Sequence, residues 1–136
     1  MVHYAGILEE NGDVCSIRVP DLPGVHGAGD SAEAAIADTI SAMREWAETM
    51  IADGHTIPSA RTVTSVIRDP ASEFAANGCE SVILLPLLCD SGRPVKANLS
   101  IDAAMLEVID TEAKRRGLTR SAFLVSAARD KIENQR

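Results

Sequence analysis

The sequence predicts an α+β fold in two parts, and three observations predict it. Asn11-Gly12 sits between two runs of strand-forming residues, and apolar residues then recur at helical spacing. Near residues 89–94 the sign of the charge changes. The expected architecture is a small antiparallel sheet packed with a helix over residues 1–90, a linker over 91–94, and a strand-helix-helix module over 95–136. With 136 residues, 46% hydrophobic and 24% charged, the chain can bury one ordinary core or two small ones.

The first elements follow from turn chemistry. Residues 2–9 and 13–19 flank the Asn-Gly pair, the strongest short-range hairpin signal, because both residues tolerate positive φ. In the second strand Cys15, Ile17 and Val19 alternate with Ser16 and Arg18, which predicts one buried face. Prolines and glycines over residues 20–35 leave room for only a short third strand near Val25. Asp30 with Glu33 three residues on reads as a capping box. Ile36, Ile40, Met43, Ala47, Met50 and Ile51 then form an apolar stripe, and Gly54 is the stop. Short helical pieces are expected over 63–69 and 72–76, separated by Asp69-Pro70. Residues 81–88 are almost unbroken aliphatics, which predicts a strand buried on both faces, although Pro86 belongs at an edge or a bulge.

The C-terminal part has its own logic. Val95, Ala97, Leu99 and Ile101 alternate with Lys96, Asn98 and Ser100, so a strand puts every apolar side chain on one face. A helix is expected from about Asp102 to Arg116, with Gly117 as its stop, and a second from Thr119, carrying Phe123, Leu124, Ala127, Ala128 and Ile132. A module of this size with one strand cannot pair that strand within itself, and dimerisation is the simplest remedy. Two such strands, paired antiparallel, form a ribbon that fits the DNA major groove and exposes Lys96, Asn98 and Ser100, side chains suited to base edges. Thr119, Arg120 and Ser121 open the second helix, where free N–H groups favour a phosphate. The plainer alternative is that the strand residues solvate an edge and that Thr119 only caps.

Charge and composition narrow the function. Residues 1–90 hold four arginines against fourteen acids, net −10, and residues 91–136 hold nine bases against six acids, net +3. Only 3% of residues are aromatic, which argues against a base-stacking platform. Cys15, Cys79 and Cys89 form no CxxC pair and are expected as reduced core thiols; His3, His26 and His55 lack metal-ligand spacing and are expected at the surface or in turns. No metal and no cofactor are expected. No targeting or membrane-spanning segment is expected, which places the chain in the cytoplasm.

The stretch KANLSIDAAMLEVIDTEAKRRGLTRSAFLVSAA resembles a ribbon-helix-helix DNA-binding domain, with the strand, the interhelical glycine and the TRSAFL helix start in order. YAGILEENGDVCSIRVPDLPGVHGAGDSAEAA resembles the N-terminal domain of HicB-type antitoxins, above all in PDLPGV followed by GDS and an alanine-rich helix start. The resemblance implies a partial RNase H-like N-terminal domain that binds and neutralises a HicA-type mRNA-cleaving toxin, and a C-terminal domain that represses the operon and forms a homodimer or a higher oligomer. The ribbon's reading positions then fall on Lys96, Asn98 and Ser100; the resemblance leaves the toxin-contacting residues unassigned. An RNase H-like fold invites a two-metal nuclease, for which Glu9, Asp38, Glu45 and Glu48 are the available acids. The helical three are spaced as a solvated face and the second strand's interior adds no acid, so no enzyme activity is expected. A ribbon-helix-helix regulator with a ligand-sensing N-terminal domain, and a residual hydrolase, stay open as alternatives.

Overall fold

The computed structural model describes residues 1–90 and 93–134, and the chain forms two compact units, Met1–Gly92 and Arg93–Arg136. Half of the expected linker, Ser91 and Gly92, lies outside the described residues. No described helix is long and apolar enough to cross a membrane.

The N-terminal unit is a four-stranded sheet with a long helix on one face. Strands β1 (Val2–Asn11) and β2 (Val14–Arg18) form the expected hairpin, with Asn11 opposite Val14. The two-residue loop is therefore Gly12-Asp13, one residue later than expected. Only Gly12 of that pair has positive φ, +65°, the glycine-first pattern of a type II′ turn. Strand β3 (His26–Gly29) is short, as its breakers demand, and β4 (Glu80–Leu87) returns to pair with β1, giving the order β3-β2-β1-β4.

The strand over residues 81–88 was expected to be buried on both faces, and here the structure corrects the sequence. β4 is an edge strand: only Leu85 is fully buried, and Leu84 is 58% exposed. The ladder shows how Pro86 fits. Glu10 N–H bonds to the carbonyl of Cys79 directly opposite, at 3.2 Å, so this is a hydrogen-bonded pair, and pairs alternate from there. Residues 81, 83, 85 and 87 therefore bond to β1, whereas Glu80, Val82, Leu84 and Pro86 turn their backbone groups outward. The N–H that proline lacks is one that β1 never needed. The same parity on the other side turns Ala28 of β3 outward.

Helix α1 (Ala32–Ala52) starts one residue later than the Asp30 cap expected from sequence. Ser31 is the N-cap, its backbone extended and its Oγ accepting Ala34 N–H at 3.1 Å, which leaves Glu33 out of position for a capping box. Ala35, Ile40 and Met43 share one buried cluster with Tyr4, Leu8, Cys15, Ile17 and Leu85 of the sheet and with Val19 just after β2, and Thr39 and Ala47 are buried as well. The helix lies unusually close to β3. A Cβ at Gly27 would stand 2.3 Å from Thr39 Oγ1 and 2.6 Å from its backbone nitrogen, so only glycine fits.

The chain between α1 and β4 contains α2 (Val63–Arg68) and a 3₁₀ turn, Pro70–Ser72, and its Ile57 and Ala60 pack against the core. Of the helical piece expected over 72–76, only Ser72 lies in that turn. Two long-range networks pin this segment. Asp21 accepts from Arg61 at both its backbone N–H, 2.8 Å, and its Nε, 2.6 Å, while Tyr4 donates its hydroxyl to the Pro58 carbonyl at 2.6 Å. Arg18 pairs with Glu80 at 3.0 Å and donates to the carbonyls of Ser72 and Glu73. Cys15 is buried, but Cys79 is exposed and Cys89 half-buried, so only one of the three free thiols is a core residue. All three histidines are exposed.

In the C-terminal unit α3 (Ala103–Arg115) and α4 (Arg120–Glu133) form where periodicity places them. Asp102 caps α3 by accepting from Ala104 and Met105. The turn between the helices is a Schellman motif: Leu118 N–H reaches the Ala113 carbonyl at 2.8 Å and Gly117 N–H the Lys114 carbonyl at 3.1 Å. The strand expected over 95–101 finds no ladder partner among the described residues, and 95–101 carry no regular structure.

Candidate functional site

The residues expected to read DNA lie on two parts of the C-terminal unit. Lys96, Asn98 and Ser100 are fully exposed, on a segment with no strand beside it. Their apolar neighbours are exposed too: Val95 at 88% and Leu99 at 67%. Among the described residues of this unit only Ala113 is fully buried, while Met105, Val108, Val125 and Ile132 face solvent. An apolar surface of this extent is large for so small a body.

At the start of α4 the three expected phosphate contacts differ in what they already do. Thr119 Oγ1 accepts Ala122 N–H at 3.1 Å, so its hydroxyl serves as the cap. Arg120 is committed as well: its Nε and Nη2 each donate to an Asp110 oxygen of α3 at 2.8 Å. That fork holds the Asp110 carboxyl below its ordinary range and ties the two helices at their turn. Ser121 is exposed. Arg120 thus meets a phosphate only by sharing or releasing Asp110. Sequence reasoning missed this pairing because the partners lie ten residues apart on different helices. Glu112, clamped by Arg115 and Arg116, titrates at about 2, another sign that the basic residues near the turn are partly neutralised.

The four acids that an RNase H-like fold makes candidates for metal binding do not converge. Asp38 Oδ2 accepts the outward N–H of Ala28 at 3.0 Å, so it closes the sheet edge at β3. Glu48 accepts from Asp90 N–H at 3.3 Å, Glu45 is exposed, and Glu9 lies on β1 opposite Glu80. Among the described residues no group of three or more His, Cys, Asp or Glu is placed to hold a metal ion.

A cleft of about 280 Å³ in the N-terminal unit lies between the proline-rich loop (Pro20, Pro23, Gly24) and residues Ala71–Glu73. Its cation is Arg18, whose guanidinium is already used by Glu80 and two carbonyls. The Glu80 carboxyl, held by Arg18 and by Ala75 N–H, stays below its ordinary range. The cleft presents mostly apolar walls, and its guanidinium is in structural use; the Glu73 carboxylate and the His26 ring complete the lining.

Known proteins resemble the chain over most of its length. The family model described as HicB_like antitoxin of bacterial toxin-antitoxin system matches residues 4–128. The crystal structure of the antitoxin HicB of Burkholderia pseudomallei is similar over the whole of both chains, at 28% identity and a TM-score of 0.53. A crystal structure of the antitoxin HicB3 shares the fold at 23% identity and a TM-score of 0.54, covering 98% of this chain and 100% of that one. A 14.9 kDa protein of the rep-hol intergenic region of Haemophilus phage HP1 (strain HP1c1) is 27% identical over 107 residues, 79% of this chain and 78% of its own.

Proposed function

Because the chain belongs to the HicB-like antitoxin family, we propose that it neutralises a HicA-type toxin with its N-terminal unit and represses its own operon with its C-terminal unit. The contrast between the units carries the proposal. One is an acidic body with a closed core; the other is a basic helix pair with an uncovered apolar surface next to a polar strand sequence. Related folds occur in structures described as a HicA3 and HicB3 toxin-antitoxin complex and as a toxin-antitoxin complex from Streptococcus pneumoniae, which supports a small toxin as the partner.

The mechanism is occlusion. A net charge of −10 on residues 1–90 steers a basic RNA-binding protein towards the N-terminal unit. Covering the toxin's RNA site needs no chemistry from the antitoxin, and the partial RNase H-like fold is used as a surface rather than as a nuclease. In the C-terminal unit, pairing of two 95–101 segments covers Val95, Leu99 and the exposed helix residues, and turns Lys96, Asn98 and Ser100 of both copies into the major groove. Mixing the full chain with the toxin and a labelled mRNA, with and without a chelator, tests occlusion. Protection at one chain per toxin that survives chelation is expected; continued cleavage, or protection lost with the chelator, overturns it.

A further inference from the structure

The side chains of the cleft between the proline-rich loop and residues Ala71–Glu73 offer acceptors and withhold donors. Two of its four polar side chains are in use. Arg18 serves Glu80 and the carbonyls of Ser72 and Glu73, and the Ser72 hydroxyl shares its hydrogen between the carbonyls of Val66 and Asp69, at 2.6 and 2.8 Å. The Glu73 carboxylate, by contrast, has no hydrogen-bond or ion-pair partner among the described residues. His26 Nδ1 lies 3.2 Å from the Gly24 carbonyl, which can only accept, so in the neutral ring Nδ1 carries the hydrogen and Nε2 is left as an acceptor. Glu73 is also the one described residue other than glycine with positive φ, +53°, and Arg18 holds it there through its carbonyl and that of Ser72.

The rest of the lining is apolar: Val19, Pro20, Pro23, Val25 and Ala71 wall a volume of about 280 Å³. A long side chain with an apolar stem and a cationic donor at its tip matches both parts of this cleft. A carboxylate or phosphate does not, because no unused cation lines it. We propose that the cleft seats an arginine or lysine side chain of the basic partner protein, its stem along the prolines and valines and its head between Glu73 and His26. This rests on the reading of the N-terminal unit as the toxin-binding body, and it names a place on that body. The net charge of −10 on residues 1–90 attracts a basic protein from every side, whereas the cleft fixes one of its side chains. An ion pair set against apolar walls is also screened by salt less than one on an open surface.

Calorimetric titration of the full chain with a HicA-type toxin, at low and at high salt, tests the seat. Glu73→Asn removes the charge, and asparagine suits positive φ, so the melting temperature is expected to hold or rise. Affinity for the toxin is expected to fall about tenfold or more, the worth of one charge-assisted hydrogen bond. Ala71→Phe fills the cleft, leaves both acceptors in place, and is expected to weaken capture as well. Asp13→Asn removes an equal charge at the exposed hairpin turn. Its effect is expected to be smaller and to vanish at high salt, where that of Glu73→Asn persists. A toxin that binds Glu73→Asn as tightly as wild type, or that responds to it no differently than to Asp13→Asn, overturns the seat and leaves occlusion standing. A wild-type chain that captures no toxin overturns both.

Discussion

The N-terminal unit closes its own core and the C-terminal unit does not. In the first, Ile7, Ile17, Leu22, Met43, Leu85 and Val66 are all buried almost completely, and two ion-pair networks fasten the covering segment. In the second, a single alanine is buried and the long apolar side chains lie open. Aliphatic content alone does not explain the difference. The first unit has four strands that pair with one another; the second has one strand sequence with nothing to pair with, and two helices cannot enclose a core by themselves.

The largest expected effect sharpens this contrast. Leu99→Asp places a charge in the surface that the proposed pairing of two C-terminal units would bury and is expected to cost that association on the order of several kcal/mol, while the melting of the N-terminal unit stays in place. Sedimentation and calorimetry read the two effects separately. Next is Gly27→Ala. Its Cβ meets the backbone of Thr39, which cannot move without the helix, so the N-terminal unit is expected to lose roughly 3 kcal/mol in urea unfolding, with C-terminal association unchanged.

Smaller effects separate the residues within the C-terminal unit, for which DNA binding is proposed. Asn98→Ala is expected to cost about 1–3 kcal/mol at its cognate base pair and to relax preference there. Arg120→Ala is expected to weaken all sequences alike and lower the salt slope by about one. Since Asp110 now occupies the Arg120 fork, Asp110→Asn frees that fork and is expected to tighten binding to any DNA sequence. Titration of operator and random DNA at two salt concentrations distinguishes the three.

The smallest effect is with acid. Arg115 and then Arg116 lower the Glu112 carboxyl from 4.5 to about 2, so its contribution is complete above pH 4.5 and is lost as pH falls towards 2. Glu80 is likewise lowered, by Arg18 and by Ala75 N–H, and its stabilisation of the N-terminal unit is also lost on the acid side. Glu80→Gln is expected to flatten the acid limb of the N-terminal melt only, and Glu112→Gln that of the C-terminal helices only. Melting followed from pH 5 to pH 2 checks both.

Local rules carried the sequence reading a long way. The hairpin at Gly12, the alternation of Cys15, Ile17 and Val19, the stripe on α1 and the Schellman turn at Gly117 all follow from period and turn chemistry, since each depends on residues within a turn or two of one another. What the tertiary structure alone decided lies at long separation. Arg18 finds Glu80, Arg61 finds Asp21, and Asp38 closes the β3 edge, contacts for which no spacing in the chain is a signal. The aliphatic run at β4 shows the limit most clearly. Its composition suits a strand buried on both faces, yet which strand becomes an edge is settled by topology, and here the order β3-β2-β1-β4 leaves β4 with one neighbour. Hydrophobic pattern determined which residues turn from water, because it is a property of neighbours in sequence; what they turn towards was decided only when distant segments met.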